Sequence, residues 1–386
     1  MNALRLYYLT VYLALGAVFP LVALALSARG LRPSQYAWLL MLMPLSRLLS
    51  PPLWGALADK HFGPRKLVRI NTWVAGLAML GLAFARGLWP TAICFAVWAF
   101  FSSSLVPLVE AGTYQMLGAR AASFGYVRVF GSIGFALSAL GVGFSKLDPG
   151  MVTPFVGASL GYLAAGLVSR KLSEYAIISR ASLRPAVLAL LRRRDVLLLW
   201  LGSMLYYAAH GIFDMYFGPF ARTLPGVRTE LVSMAWGLGV VAEVIVFFFV
   251  PRWLSGRLMR WLLPGSALVA ALRWWLTAQV TSASQVLMLQ PLHAITFGVW
   301  YLAFVHENQA EAPAHMRATV QGIAVACLGM GTMSAIVVGG YGLERFGGRP
   351  LFMMASLASL GSLMLYLVRI AVRSAAAQAR AVLEPP

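Results

Sequence analysis

Charge is what this chain has least of. Of its 386 residues only 11% are charged, and just 12 are acidic. A soluble domain carries about a quarter of its residues charged, so this chain cannot cover a water-facing surface of its own size. Cysteine is scarce as well. Cys94 and Cys327 both lie in apolar runs, which argues for packing and against a disulfide or a metal site. The residue patterns of common enzymes are missing: there is no HExxH, no GxSxG and no nucleotide-binding GxxxxGK[ST]. His210-Gly-Ile-Phe-Asp214 falls one residue short of the His-x4-Asp pattern of membrane acyltransferases. Enzyme chemistry, a cofactor and direct use of a nucleotide are therefore not expected.

What the chain has in abundance is apolar length. Hydrophobic residues make up 60% and the mean hydropathy is +0.77. Runs of about 20 apolar residues, the length that crosses a hydrocarbon slab as a helix, recur from one end to the other. They read as spans at 5–28, 36–57, 67–85, 88–116, 126–145, 151–169, 195–218, 230–251, 262–280, 283–306, 318–341 and 350–371. The first run is too long for the core of a signal peptide, so it counts as a span. The expected architecture is an all-α membrane protein of twelve transmembrane helices in two pseudo-symmetric six-helix bundles. Residues 1–169 and 195–386 form the bundles, and the basic stretch 170–194 links them. In corresponding places GSIGFALSALGVG (131–143) and GMGTMSAIVVGG (329–340) are rich in small residues, as helices that pack backbone to backbone should be. Pro44, Pro51 and Pro52 in the second span are candidates to bend or break it.

The net charge of +19 does not point to nucleic acid. Its lysines and arginines crowd alternate loops, such as Lys60–Arg69 and Arg192–Arg194. That bias sets both termini in the cytoplasm and gives the linker an anionic lipid surface to lie on.

Three ionisable residues sit deep in consecutive spans: Glu243 in AWGLGVVAEVIVFFFV, Arg273 in LVAALRWWLTAQV and His293 in VLMLQPLHAITFGVWYLAFV. At 1.5 Å per residue each lies about 15–20 Å below the surface. An isolated charge there costs at least about 2.5–3.5 kcal/mol, so three at one depth imply a shared interior cavity. A carboxyl group in apolar surroundings can carry a proton near neutral pH, which makes Glu243 the first candidate for a protonation site. Arg273 keeps its charge and needs an anionic partner, either Glu243 in a permanent pair or a solute carboxylate. His293 can switch protonation or hold a fixed hydrogen bond. His210 and Asp214 share a helix face one turn apart; Asp214, near the outer end, is either part of the site or a rim residue. Glu110 and Arg128 either contact a solute or bridge two helices. Arg47, mid-span, either lines the cavity or reaches Glu110. Tyr207, Trp236 and Trp300 are candidates to stack on a planar solute.

The loop Gly55-Ala-Leu-Ala-Asp59-Lys60-His61-Phe62-Gly63-Pro64-Arg65-Lys66 resembles the gate-latching signature of the major facilitator superfamily, with one extra residue before the second glycine. Further along, PLSRLLSPPLWGALAD (44–59), PLVEA (107–111), GYVRVFGSIGF (125–135), WGLGVVAE (236–243), ALRWW (271–275), LHAITFG (292–298) and RATVQG (317–322) occur in order. Together they resemble the phenylpropionate-permease branch of that superfamily, a relative of nucleoside–proton symporters and lactose permease. The pairs Glu110/Arg128 and Arg273/His293 are spaced as in lactose permease, but Thr296 stands where that protein has its proton-carrying carboxylate. The resemblance implies the major facilitator fold. It also implies proton-coupled symport of a small organic solute by a monomer of a bacterial inner membrane, with an aromatic monocarboxylate favoured. A sugar or nucleoside, export of a metabolite or drug, and a non-transporting sensor remain open alternatives.

Overall fold

A backbone immersed in lipid has no water to bond to, so every passage must satisfy its own peptide groups, and helices do this. The computed structural model describes all residues except 58–61, 118–123, 145–151, 175–191, 250–257, 312–316 and 384–386, and among those described it is almost wholly helical. The first passage is α1 (Asn2–Val18) and α2 (Val22–Ala28), joined by a 3-10 turn at Phe19–Leu21 that contains Pro20. Then come α3 (Pro33–Leu57), α4 (Pro64–Phe84), α5 (Leu88–Ser102), α6 (Leu105–Leu117), α7 (Gly125–Phe144) and α8 (Thr153–Ser169). The second half holds α9 (Arg194–Ala221), α10 (Thr229–Phe249), α11 (Met259–Gln279), α12 (Ala283–Met288), α13 (Trp300–Glu311), α14 (Arg317–Phe346) and α15 (Gly348–Leu383). With α1–α2, α5–α6 and α12–α13 each counted as one passage, the order follows the twelve expected spans.

Among the described residues eight helices are long and apolar enough to cross a membrane, and two shorter apolar ones join them. The two passages outside that set, α3 and α11, are those carrying Arg47 and Arg273 mid-helix. The prolines of α3 do not break it, since the helix runs through from Pro33 to Leu57.

The fourth passage is interrupted between Ser102 and Leu105, where a continuous helix was expected. Hydroxyl groups satisfy the backbone there. Ser103 donates to the Ala99 carbonyl (2.5 Å), Ser104 to that of Phe101 (3.0 Å) and Ser50 of α3 to that of Phe100 (2.5 Å).

Glycine sets the helix spacing in both halves. A Cβ on Gly134 of α7 would overlap the Leu9 carbonyl of α1, and one on Gly331 of α14 would overlap the Met204 carbonyl of α9. The two halves thus place corresponding glycines against corresponding backbones, as the small-residue runs suggested. Contacts between the two halves gather near the helix ends remote from both termini. Glu344 of α14 accepts from the Ser34 N–H at the start of α3 (3.1 Å), Tyr36 packs on Tyr216, Gly340 lies against Pro33 and Ala37, and Gly237 against Leu140. Midway along α3, Arg47 is exposed although residues of both halves surround it, so the halves stand apart there.

Candidate functional site

Arg273 is 1% exposed and gripped by the tenth passage. Its Nη1 donates to Thr296 Oγ1 (2.7 Å) and approaches His293 Nδ1 (3.3 Å), while its Nη2 donates to Gln290 Oε1 (3.2 Å). The guanidinium lies 4.6 Å from the centroids of both Phe213 and Trp274. Among the described residues no carboxylate lies within 4.0 Å of it. Neutral acceptors and ring faces carry its charge instead. The anionic partner expected next to Arg273 is therefore one residue further away.

Two carboxylates lie at that remove: Asp214, whose charge acts on Arg273, and Glu243, reached through His293. The Glu243 Oε2 lies 3.6 Å from His293 Nε2. A guanidinium only donates hydrogen bonds. With Arg273 donating, Nδ1 is the bare nitrogen of the imidazole and the ring proton sits on Nε2, facing Glu243. A second proton on Nδ1 would confront the guanidinium, so this arrangement suits the neutral imidazole. Gly239, one turn before Glu243, makes room for the imidazole: a Cβ there would meet His293 at 3.2–3.3 Å.

The tenth passage is itself irregular at this level. Gln290–Leu292 form a 3-10 turn, Ala294–Val299 a π-helical turn, and the α-helix resumes at Trp300. Pro291 and the wide turn free backbone groups, and the Tyr206 hydroxyl donates to the Thr296 carbonyl (2.5 Å). Widened turns of this kind concentrate at functional sites.

His210 lies in the same aromatic cluster, 1% exposed, with ring centroids 5.2 Å from Trp274 and 6.1 Å from His293. Neither of its ring nitrogens has a hydrogen-bond partner. Asp214 is half-buried, with Arg47 and Arg273 both near enough to act on its charge. Across the gap, Arg128 and Glu110 approach to 3.7 Å with about a third of each side chain exposed. Arg128 also donates to the Tyr12 hydroxyl (2.5 Å) and lies over that ring. The pair both bridges α6 and α7 and faces the open space. Its charge reaches Glu243 and Tyr301 in the other half. Arg47 acts on Tyr12, Tyr207 and Asp214, and among the described residues it makes no ion pair within 4.0 Å, with Glu110 or any other carboxylate.

The aromatic candidates separate. Tyr207 is half-buried beside His210. Trp236 packs edge-on against Phe19 (5.5 Å) and beside Phe213 (5.1 Å), sealing the junction between the halves. Trp300 is wholly buried, stacked on Tyr206 (4.5 Å) with its indole N–H given to Tyr366 (3.1 Å), so it is bundle packing rather than a cavity wall. In the loop signature, Gly63 adopts φ 69°, which favours glycine, at the start of α4. The Arg65 N–H is 3.4 Å from Glu174 Oε1 and its guanidinium donates to the Arg170 carbonyl. Lys66 lies 5.0 Å from the Phe62 ring. Gly55 is in the last turns of α3, while Asp59 and Lys60 fall outside the described residues.

A model of the MFS_1 like family matches residues 1–354. The chain belongs to that family. Among relatives of this major facilitator, the maltose permease of Geobacillus stearothermophilus is 26% identical over 374 residues, covering 96% of this chain and 95% of that protein. The probable 3-phenylpropionic acid transporter of Escherichia coli K12 is 26% identical over 387 residues, covering 94% and 96%. The crystal structure of the nucleoside transporter NupG superposes with TM-score 0.83 at 14% identity, covering 96% of this chain and 98% of that one. The fold is thus the major facilitator fold, and the family consists of multi-pass membrane transporters of small molecules, not enzymes.

One cluster in this transporter escaped the sequence reading. Arg369 of α15, 5% exposed, bonds Glu307 (2.7 Å), Glu311 (2.8 Å) and the Asp195 carbonyl (3.1 Å). Arg373 lies 3.1 Å from Glu307 and 3.0 Å from Glu311, while Arg193 pairs with Asp195 (2.8 Å) and Glu311. The signal was present as two complementary pairs four residues apart, Glu307/Glu311 and Arg369/Arg373, each sharing a helix face.

Proposed function

We propose that the protein is a proton-coupled symporter of a small organic solute, with an aromatic monocarboxylate favoured, in a bacterial inner membrane. It works as a monomer with both termini in the cytoplasm. Residues 1–169 and 195–386 rock about the central site, joined by 170–194, and with the halves meeting at their outer ends the site is open to the cytoplasm. The observation that carries this reading is the line Glu243–His293–Arg273, in which one carboxyl group faces a neutral imidazole at the junction of three passages. When Glu243 is ionised, the Nε2–H of His293 points at an anion and the guanidinium beyond is balanced through the ring. When Glu243 is protonated, that balance is lost and an anionic solute restores it. Arg47, exposed and facing Tyr207 and Asp214 across the gap, is the cation placed to hold such a solute. Tyr12 and Tyr207 both lie within reach of its charge. The phenylpropionic acid transporter among the relatives supports the same cargo class.

A second reading, symport of a sugar or nucleoside, rests on the maltose permease being no more distant and on Glu110, Arg128 and Tyr12 offering hydrogen bonds to hydroxyl groups. Proteoliposomes loaded with each solute class separate the two. Counterflow of a labelled aromatic acid, and its faster uptake under an inward proton gradient, are the expected results. Glu243→Gln should keep counterflow and lose the gradient response. An unchanged response in that variant sinks the mechanism. Absent counterflow for every class points to a sensor, and a gradient that drives only efflux points to an exporter.

A further inference from the structure

The tenth passage carries a straight aromatic ladder that starts at the site. The rings of His293 and Phe297 stack at 5.3 Å and 3°, and those of Phe297 and Tyr301 at 5.7 Å and 1°. In a regular α-helix residues four apart are offset by about 40° around the axis. The π-helical turn at Ala294–Val299 contains Phe297, the middle ring of the three. The far end of the ladder, Tyr301, lies within reach of the Arg128 charge in the other half. Two residues hold the wide turn. The Tyr206 hydroxyl donates to the Thr296 carbonyl, and Arg273 donates to the Thr296 hydroxyl while also gripping Gln290 at the start of the 3-10 turn and His293 just after it.

We propose that this wide turn is the element that passes the state of Glu243 to the opening between the halves, and that Tyr206 and Thr296 are positioning residues for it. Closing a wide turn to a regular one rotates everything beyond it by about 100°, one residue of helix. Phe297 and Tyr301 would then leave the ladder, and Tyr301 would leave Arg128. The trigger is what His293 faces. Charged and titratable groups near Glu243 are Arg128 from α7, Tyr207 and Asp214 from α9, Arg273 from α11 through the imidazole, and His293 itself. The turn at Phe19–Leu21 and helix α12 bring none. Protonation of Glu243 removes the negative charge facing Nε2–H, which weakens that contact, loosens the imidazole, and with it one of the three bonds that fix Arg273 to this passage.

The inference rests on the proposed proton coupling, and its test reads the turn itself. Hydrogen exchange of the full chain in lipid nanodiscs, corrected for intrinsic rates, is followed over residues 290–301 between pH 5.5 and 8. The expected result is a change of about tenfold in that segment across the range, absent in Glu243→Gln. Tyr206→Phe keeps the stack on Trp300 but loses the bond to Thr296. It should raise exchange in 294–299 about tenfold at every pH and lower gradient-driven accumulation at least fivefold, with counterflow within twofold of the native protein. Exchange that does not vary with pH in a protein whose uptake does follow the gradient overturns the proposal and leaves the function standing. Equal loss of counterflow and accumulation in Tyr206→Phe also overturns it, since that is what a merely structural hydroxyl would give. Uptake indifferent to the gradient in the native protein overturns the function itself.

Discussion

Replacing Arg369 by methionine tests how far the buried ion network holds the second half together. Arg369 is 5% exposed, and the Glu307 and Glu311 side chains it bonds are 11% and 5% exposed. In the native protein Arg193, Arg369 and Arg373 face Asp195, Glu307 and Glu311, so the charges balance. Methionine fills similar space but leaves two carboxylates to Arg373 and Arg193, whose side chains are 47% and 45% exposed and screened by water. Stripping one partner from a buried pair costs about 3–5 kcal/mol. For a cooperative unit of 150–250 residues each kcal/mol is worth about 2–4 °C, so Arg369→Met should lower Tm by roughly 6–20 °C in a thermal-shift assay in mild detergent. Adding Glu311→Gln removes the excess anion, so the double variant should recover at least half of that loss. A single variant within about 2 °C of the native protein, or a double variant that falls by the sum of its parts, refutes the reasoning.

Two further outcomes follow from the packing and from the open space. Gly331→Val should abolish monodisperse protein in size-exclusion chromatography, because its Cβ would overlap the Met204 carbonyl and α14 would have to leave α9; Gly329→Val, whose Cβ meets nothing within 4 Å, should behave as the native protein. Arg47→Gln should weaken solute affinity by about 30-fold or more in a binding assay with an aromatic acid, the cost of losing a charged hydrogen bond, with little change in Tm since Arg47 is exposed and makes no ion pair within 4.0 Å among the described residues.

How much of this was written in the sequence depends on the length scale. The twelve passages were legible because lipid admits few backbone solutions, and apolar length alone announces a helix. Their interruptions were not. Ser102–Ser104 and the stretch around Pro291 are compatible with an unbroken helix as well as a broken one, and only neighbours such as Ser50 and Tyr206 decide. The depth of Glu243, Arg273 and His293 could be counted from the ends of their runs. Which of them touch could not, because a helix turns 100° per residue and a boundary error of a few residues scrambles every facing. Sequence left Arg273 either Glu243 or a solute carboxylate as its partner, and the imidazole between Arg273 and Glu243 is a matter of helix rotation. Trp300 shows the same limit: an aromatic in a site-bearing passage reads alike whether it faces the gap or, as here, Tyr206 and Tyr366.

The interposed imidazole suits a transporter better than the direct pair would. A carboxylate bound straight to Arg273 in this dry setting would have to be broken in every cycle, at about 3–5 kcal/mol, which is a factor of roughly 10²–10⁴ in rate. Here Arg273 is already satisfied by Thr296, Gln290 and two ring faces, none of which changes charge. Only the contact of His293 with Glu243 is conditional, and at 3.6 Å it is longer than a formed hydrogen bond. The fixed charge is thus stabilised by neutral groups, and under the proposed coupling the variable charge sits one ring away, so a proton can arrive without breaking an ion pair to the arginine.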